Sequence, residues 1–226
     1  MNNYRYYAFL DLLGYRELIA QDLLSRSAKL KDRLTNSFSA LNDINETDVR
    51  YTAISDSVFV CLLNGGLGFL YFADVLRRLQ LSFLRNGLLI RGGVAFDEHF
   101  ENGKVTYSPA LVSAYDVESR RAFFPRVLLH QAVVDKLKNE GLFDRSIDEG
   151  RIIQHAGSYQ IHFVDDDNWN SCFENAKDLS REQQEIIKSD PRVYSKYWYL
   201  QEYLMHCKPR GVRRSRYLPA WGAHSL

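Results

Sequence analysis

Short apolar runs alternate with longer amphipathic stretches along this chain. Tyr4 to Asp11 is an apolar run of strand length, and leucines at roughly helical spacing follow from Arg16 to about Leu41. Val49 to Leu62 predicts two strands joined as a hairpin, and Leu67 to Leu84 predicts a second amphipathic helix. The first part of the chain therefore predicts the order strand, helix, hairpin, helix.

The next stretch predicts a strand from Leu88 to Phe96 that contains two adjacent glycines, Gly92 and Gly93. Such a pair indicates either close approach of another backbone or a ligand, or a bulge beside a packed helix. The remaining predicted elements are a short strand (Val105 to Tyr107), a helix (Ala110 to about Phe123), a strand (Pro125 to Leu129), a helix (Gln131 to Leu137) and a hairpin (Ile152 to Val164). The order predicts an α+β fold, with a ferredoxin-like or palm-like antiparallel sheet and helices on one face.

The C-terminal part of the chain has a different pattern. It predicts three helices: Trp169 to Lys177, Arg181 to Ile187 and Pro191 to Cys207. We expect one α+β domain over residues 1–165 and a helical extension over residues 166–226 that packs on it.

Composition excludes several classes of protein. The 226 residues are 46% hydrophobic, and 29 Lys and Arg residues against 28 Asp and Glu residues give a net charge of +1. No basic field therefore indicates nucleic acid or an anionic membrane as a partner. No apolar stretch reaches the roughly 18 residues of a membrane span, and no N-terminal signal pattern is present. The three cysteines have no metal-type spacing, so we expect reduced thiols in a cytoplasmic protein.

Two aspartates stand out against this pattern. Asp11 ends the first apolar run and is followed by Gly14, where the backbone can turn closely around a ligand. Asp56 and Ser57 form the predicted two-residue turn of the hairpin, which places an acid at its tip. If the hairpin lies beside the first strand, the two carboxylates face each other, and they repel unless a cation lies between them. The pair predicts a divalent metal site. Taken singly, Asp11 is equally consistent with a buried or capping acid, and Asp56 with an ordinary turn residue.

The order of four motifs resembles the class III nucleotidyl cyclases. Phe9–Tyr15 resembles their first metal motif, and Thr52–Ser57 resembles their second. Leu89–Val94 is similar to their Arg-x-Gly strand, and Ala114–Ser119 to the helix that follows it. Within the family, Ser108–Tyr115 most resembles the bacterial antiphage pyrimidine cyclases of the Pycsar type.

The resemblance implies an activity, a site and an assembly. Residues 1–165 would form the cyclase catalytic domain, in which Asp11, Asp56 and the carbonyl of Leu12 hold two divalent cations, Mn²⁺ or Mg²⁺. The metals would neutralise the triphosphate and activate the ribose 3′-hydroxyl, which attacks the α-phosphate and expels pyrophosphate. Gly14 and the N–H groups of the following turn would bind the phosphates, with Arg91 as a further nucleotide ligand. The family works as a homodimer.

The base reader of purine cyclases, a Lys or Glu, falls at Thr52, beside Tyr51. The absence of a charged reader and the presence of an aromatic wall at Tyr51 favour a pyrimidine. UTP is the preferred expectation over CTP, but no residue of the sequence separates the two. Tyr51 lies five residues before Asp56, so strand alternation places it on the opposite face unless a bulge turns it. Thr52 is the alternative reader.

The family's transition-state Asn and Arg fall at Val112 and Asp116. Either Arg91, Arg120 or Arg121 takes that role, or turnover is slow or absent. The first hypothesis is therefore a cyclase that makes cyclic UMP or cyclic CMP as an antiphage alarm signal for a partner effector protein. The second is a catalytically weak or inactive nucleotide-binding sensor. A palm-type enzyme that makes a linked dinucleotide is disfavoured, because no acidic pair follows Gly93.

Overall fold

The computed structural model describes residues 3–220, which form nine strands and nine α-helices. The strands are β1 (Tyr4–Leu12), β2 (Val49–Ile54), β3 (Ser57–Leu62), β4 (Ile90–Glu98), β5 (Phe100–Glu101), β6 (Thr106–Tyr107), β7 (Val127–Leu129), β8 (Ile152–His155) and β9 (Ser158–Ile161). Seven of them form one sheet in the order β2-β3-β1-β4-β7-β9-β8, and β5 pairs with β6 apart from it. The predicted α+β class is confirmed. One pair, β4 with β7, is parallel because a helix crosses over between the two strands.

The helices are α1 (Tyr15–Ser25), α2 (Lys29–Phe38), α3 (Gly68–Arg85), α4 (Pro109–Arg121), α5 (Gln131–Asn139), α6 (Phe143–Asp148), α7 (Trp169–Glu182), α8 (Gln184–Ser189) and α9 (Pro191–His206). The single helix predicted from Arg16 to Leu41 is wrong. The chain breaks at Arg26, whose φ is 49°, and Asp22 stabilises the break by accepting hydrogen bonds from the Ser27 hydroxyl (2.8 Å) and the Leu30 N–H (2.9 Å).

Side chains of β1 alternate between the two faces of the sheet. Leu10 belongs to the main apolar core, together with residues of α2, α3 and α5, such as Leu76. Phe9 instead packs with Ala114 of α4. Most of the core helices therefore lie on one face, as predicted, whereas α4 covers part of the other. We call these the core face and the α4 face.

Helix α4 approaches the sheet very closely at the paired glycines. A Cβ on Gly93 would lie 2.3 Å from the carbonyl oxygen of Ala114 and 2.7 Å from Cβ of Val117. Of the two interpretations of the glycine pair, the structure shows close approach of another backbone, that of a packed helix. Only glycine fits at this position.

The C-terminal helices pack on the α+β part through a second apolar cluster. Trp169 of α7 is fully buried there, and its Nε1 donates a 2.6 Å hydrogen bond to the carbonyl of Leu204 in α9. Leu84 and Leu89, beside the sheet, belong to the same cluster. Within residues 3–220, no helix is both long enough and apolar enough to span a bilayer.

Candidate active site

The end of β1 and the tip of the β2–β3 hairpin meet at the same edge of the sheet. Asp11 pairs with Ser57 in the antiparallel register, and the N–H of Leu12 donates a 2.8 Å hydrogen bond to the carbonyl of Asp56. Ser55 and Asp56 form the two-residue turn, with Ser55 at a φ of 59°. The predicted acid at the hairpin tip is confirmed, and the backbones of the two aspartates are neighbours.

Arg91 lies directly beside Asp11, because the two are register partners across β1 and β4. Its Nε donates a 2.9 Å hydrogen bond to Oδ2 of Asp11. Nη1 lies 3.3 Å from the carbonyl of Ala122, and Nη2 forms a 2.7 Å ion pair with Oε1 of Glu118. The guanidinium therefore bridges the strand that carries Asp11 and the helix α4.

Glu118 is the most buried charged residue of this site, at 3% exposed. Burial raises the pKa of its carboxyl to about 7, Arg91 opposes that rise, and the charges of Asp11 and Asp56 add to it. Three carboxylates and one guanidinium thus interact within one small region.

Gly14 separates this region from helix α1. Its φ of 78° is left-handed, and nothing lies within 4 Å of where its Cβ would be. Helix α1 begins at the next residue, Tyr15. The N–H groups of a first helical turn point towards the N-terminal end, so those of α1 point back towards the end of β1. This arrangement suits an anion next to Asp11.

Tyr51 does not lie on the α4 face of the sheet, to which Asp11 belongs by its alternation with Phe9 and Leu10. Its ring stacks on Phe38 of α2, with centroids 5.6 Å apart and planes 7° from parallel, on the core face. Alternation is regular through β2, so no bulge turns Tyr51 towards Asp11. The position of Tyr51 gives no support to its predicted part in binding the base, whereas the neighbouring Thr52 lies on the α4 face.

Thr52 lines a cavity of about 240 Å³ on the α4 face. From strand spacing, Thr52 lies about 12 Å from Asp11, two strands across and two residues along. Arg50 and Glu101 form a 2.8 Å ion pair in the cavity wall. The other lining residues are Tyr7, Phe59, Cys61, His99, Thr106 and Leu111.

Sequence reasoning did not identify Glu118, Arg50 or Glu101 as members of a site. Glu118 does carry a signal, because it stands four residues after Ala114 and eight after Ala110, on the buried side of α4. A charged residue on the apolar stripe of a helix requires a partner. Arg50 and Glu101 are 51 residues apart and meet only through tertiary structure.

Class III cyclases carry a transition-state Asn and Arg at two positions that are occupied here by residues unsuited to that role. Val112 is 61% exposed, and Asp116 forms a surface ion pair with Arg120 at 3.4 Å. Of the candidate replacements, Arg91 is the one in contact with Asp11.

Among residues 3–220, side chains alone do not form a complete coordination shell for a metal ion. In the described part of the chain, no group of three or more His, Cys, Asp and Glu residues is arranged to hold a metal ion. Two carboxylates nevertheless fit Mg²⁺ or Mn²⁺, because Mg²⁺ sites commonly use one or two carboxylates and complete their coordination with water and substrate phosphates.

Comparison with known proteins gives a structural likeness only. No family model matches the sequence, and no curated protein matches it. The solved structures that the chain resembles are catalytic cores of guanylyl cyclases. One is that of a rhodopsin-guanylyl cyclase with converted specificity, in complex with ATPαS. It is 11% identical, with a TM-score of 0.44 over 71% of this chain and 95% of that chain. Another is the guanylyl cyclase Cya2, which is 13% identical, with a TM-score of 0.42 over 70% of this chain and 90% of that chain. At such values the likeness carries no argument about function.

Proposed function

We propose that this protein is a nucleotidyl cyclase that converts UTP or CTP into the 3′,5′-cyclic nucleotide and pyrophosphate. The observation that carries the proposal is the junction of β1 with the hairpin, where Asp11 and Asp56 lie on neighbouring backbones beside Arg91 and the start of α1. Carboxylates for cations, a cationic side chain and an anion-binding helix start are the groups that phosphoryl transfer requires.

Different residues bind the cations and the phosphates. Asp11, Asp56 and the carbonyl of Leu12 would hold Mn²⁺ or Mg²⁺ through oxygen ligands. Cations bound there would supply charge that neutralises the triphosphate and would lower the pKa of the ribose 3′-hydroxyl. The turn at Gly14 and the first N–H groups of α1 bind the phosphate chain. The 3′-oxygen forms a bond to the α-phosphorus, the bond from that phosphorus to the bridging oxygen breaks, and the hydroxyl proton leaves to solvent. Arg91 stabilises the negative charge that develops on the leaving pyrophosphate.

The cavity at Thr52 supports a pyrimidine as the base. Phe59 and Tyr7 supply aromatic surface, and the cavity of about 240 Å³ is small. Uracil presents two carbonyl acceptors on either side of one N–H donor. The guanidinium of Arg50, the carboxylate of Glu101 and the hydroxyl of Thr52 offer the complementary donor, acceptor and donor. On this chemistry we favour UTP over CTP.

Exposed apolar side chains on and around the α4 face support a homodimer. Ile54, Val112, Tyr115 and Phe123 are each at least half exposed there. Contiguous exposed apolar surface is characteristic of protein interfaces. Isologous pairing would complete two equivalent sites. The resemblance at Ser108–Tyr115 is the support for placing the cyclic product in antiphage signalling, where a cyclic-nucleotide-activated effector would receive it.

The second candidate is a sensor that binds nucleotide without turnover. It is favoured by the state of Arg91, whose guanidinium nitrogens all lie against protein acceptors rather than open to a substrate. Incubation of the purified protein with each NTP and Mn²⁺ separates the two. A cyclic pyrimidine nucleotide together with pyrophosphate supports the cyclase, and saturable nucleotide binding without product supports the sensor. Absence of both binding and product would overturn both candidates.

A further inference from the structure

Each of the three guanidinium nitrogens of Arg91 lies within 3.3 Å of a protein oxygen, and two of these oxygens belong to carboxylates, those of Asp11 and Glu118. The contact with Glu118 is an ion pair without hydrogen-bond geometry. Asp11 belongs to the proposed cation site and is 19% exposed at its side chain, whereas Glu118 is buried on α4 at 4%. A divalent cation and Arg91 are both attracted to Asp11, so cation binding must weaken the Arg91–Asp11 pair. Glu118 has no part in that competition except through Arg91.

The placement of Glu118 follows from the packing of α4. Because Gly93 has no side chain, α4 lies against the backbone of β4, and Val117 sits where a Cβ would be. The next residue, Glu118, thereby reaches the guanidinium of Arg91, two residues before Gly93 on the same face of β4. A buried, unpaired carboxylate is strongly unfavourable, so Glu118 and Arg91 stabilise each other.

We infer that Glu118 is a positioning residue that holds Arg91 on β4 while a divalent cation takes over the Asp11 carboxylate. Arg91 then stays beside the substrate phosphates instead of competing with the cation for Asp11. Without the negative charge of Glu118, Asp11 is the sole anionic partner of Arg91 among the contacts that the structure shows, and the guanidinium competes more strongly with the cation. The role of Arg91 at the phosphates rests on the proposed function, whereas its competition with a cation does not.

The test measures Mn²⁺ binding to the full-length protein without nucleotide, at pH 8, from the electron paramagnetic resonance signal of free Mn²⁺. Glu118→Gln should raise the Mn²⁺ dissociation constant about tenfold, which corresponds to about 1.4 kcal/mol of weaker attraction between the Arg91 guanidinium and the side chain at position 118. Asp116→Asn is the matched control. It removes a carboxylate from the exposed side of the same helix, where the partner is Arg120, and should leave the constant unchanged.

A double-mutant cycle separates positioning from plain electrostatic attraction. If Glu118 acts through Arg91, Arg91→Gln alone should tighten Mn²⁺ binding, because the competitor for Asp11 is gone, and Glu118→Gln should have no effect in that background. Weaker Mn²⁺ binding in Arg91→Gln alone, or the same tenfold effect of Glu118→Gln in that background, would mean that Glu118 attracts the cation directly, and would overturn the inference. The double variant also guards against misfolding, because it removes both charges of the buried ion pair and leaves neither one unpaired.

The outcomes distinguish this inference from the proposed function. A wild-type protein that binds Mn²⁺ and makes product, with Glu118→Gln indistinguishable from it in Mn²⁺ binding, overturns the positioning role alone. If the wild-type protein binds Mn²⁺ but makes no product, and the double-mutant cycle gives the predicted result, the proposed cyclase activity is wrong and the positioning role stands. A wild-type protein that does not bind Mn²⁺ overturns both.

Discussion

The buried carboxyl of Glu118 makes the stability of the fold depend on pH. Its pKa rises from the ordinary 4.5 to about 7 in the folded protein, mainly because burial disfavours the charged form. The native state therefore binds this proton more tightly than the unfolded chain does. The resulting stabilisation is fully present below about pH 4.5 and is lost as the pH rises through about 7. The perturbation to test is Glu118→Gln, which removes the titrating proton and keeps the shape of the side chain.

The magnitude follows from the two pKa values. One pKa unit corresponds to about 1.36 kcal/mol, so the full effect is about 3 kcal/mol, most of which falls between about pH 5 and pH 8. The side chain is 4% exposed, so solvent screening removes little of it. Over that range, the free energy of unfolding of the wild type should fall by about 2 to 3 kcal/mol relative to Glu118→Gln.

Urea denaturation at several pH values, in the presence of EDTA so that no cation occupies Asp11, measures this difference. Histidines such as His162, whose pKa burial lowers to about 4, also titrate as the pH changes. They contribute equally to both proteins, so the comparison uses the difference between the two curves. The control Asp116→Asn should follow the wild type at every pH. Parallel curves for wild type and Glu118→Gln would refute the assignment of a raised pKa to this carboxyl.

Four further predictions concern the site and the assembly. Asp56→Ala should abolish cyclic product and the thermal stabilisation by Mn²⁺ while the fold persists, and normal turnover in this variant would remove Asp56 from the site. Thr52→Ala should change the preference among UTP, CTP, ATP and GTP, measured as relative kcat/KM. Tyr51→Ala should instead lower the free energy of unfolding by about 1 kcal/mol, because it removes the stack on Phe38. A changed base preference in Tyr51→Ala, with none in Thr52→Ala, would assign the base contact to Tyr51. Light scattering should give twice the 26.3 kDa of the monomer, and an active monomer would contradict the dimer.

The features that sequence reasoning predicted well are those with a local cause. The apolar run of β1 and the hairpin turn depend on neighbouring residues, so the acid at the hairpin tip could be located before the fold was known. The turn itself lies one residue earlier than predicted, at Ser55 and Asp56 instead of Asp56 and Ser57. The break between α1 and α2 could not. It occurs at Arg26, a residue without turn preference, and it depends on the Asp22 side chain reaching Leu30, eight residues further on.

Tyr51 illustrates a conflict between a motif and geometry. The resemblance placed an aromatic wall at the base, while the alternation of strand side chains placed Tyr51 on the face opposite to Asp56. The structure follows the alternation, and Phe38 supplies the ring on which Tyr51 stacks. Period-two geometry is thus the better guide to a face when the register is regular, and Thr52 takes over the proposed contact with the base.

Arg91 shows what only the assembled fold can supply. Its place on β4 was predictable, and its pairing with Asp11 follows once β1 and β4 are neighbours in register. Its second partner depends on Gly93, because a larger residue there would hold α4 away from the sheet and Glu118 away from the guanidinium. In the sequence, the paired glycines indicated close approach of a backbone or a ligand. They act on the site indirectly, through the position of α4. They bring in a third carboxylate, that of Glu118, which is a second anionic partner for the Arg91 guanidinium beside Asp11.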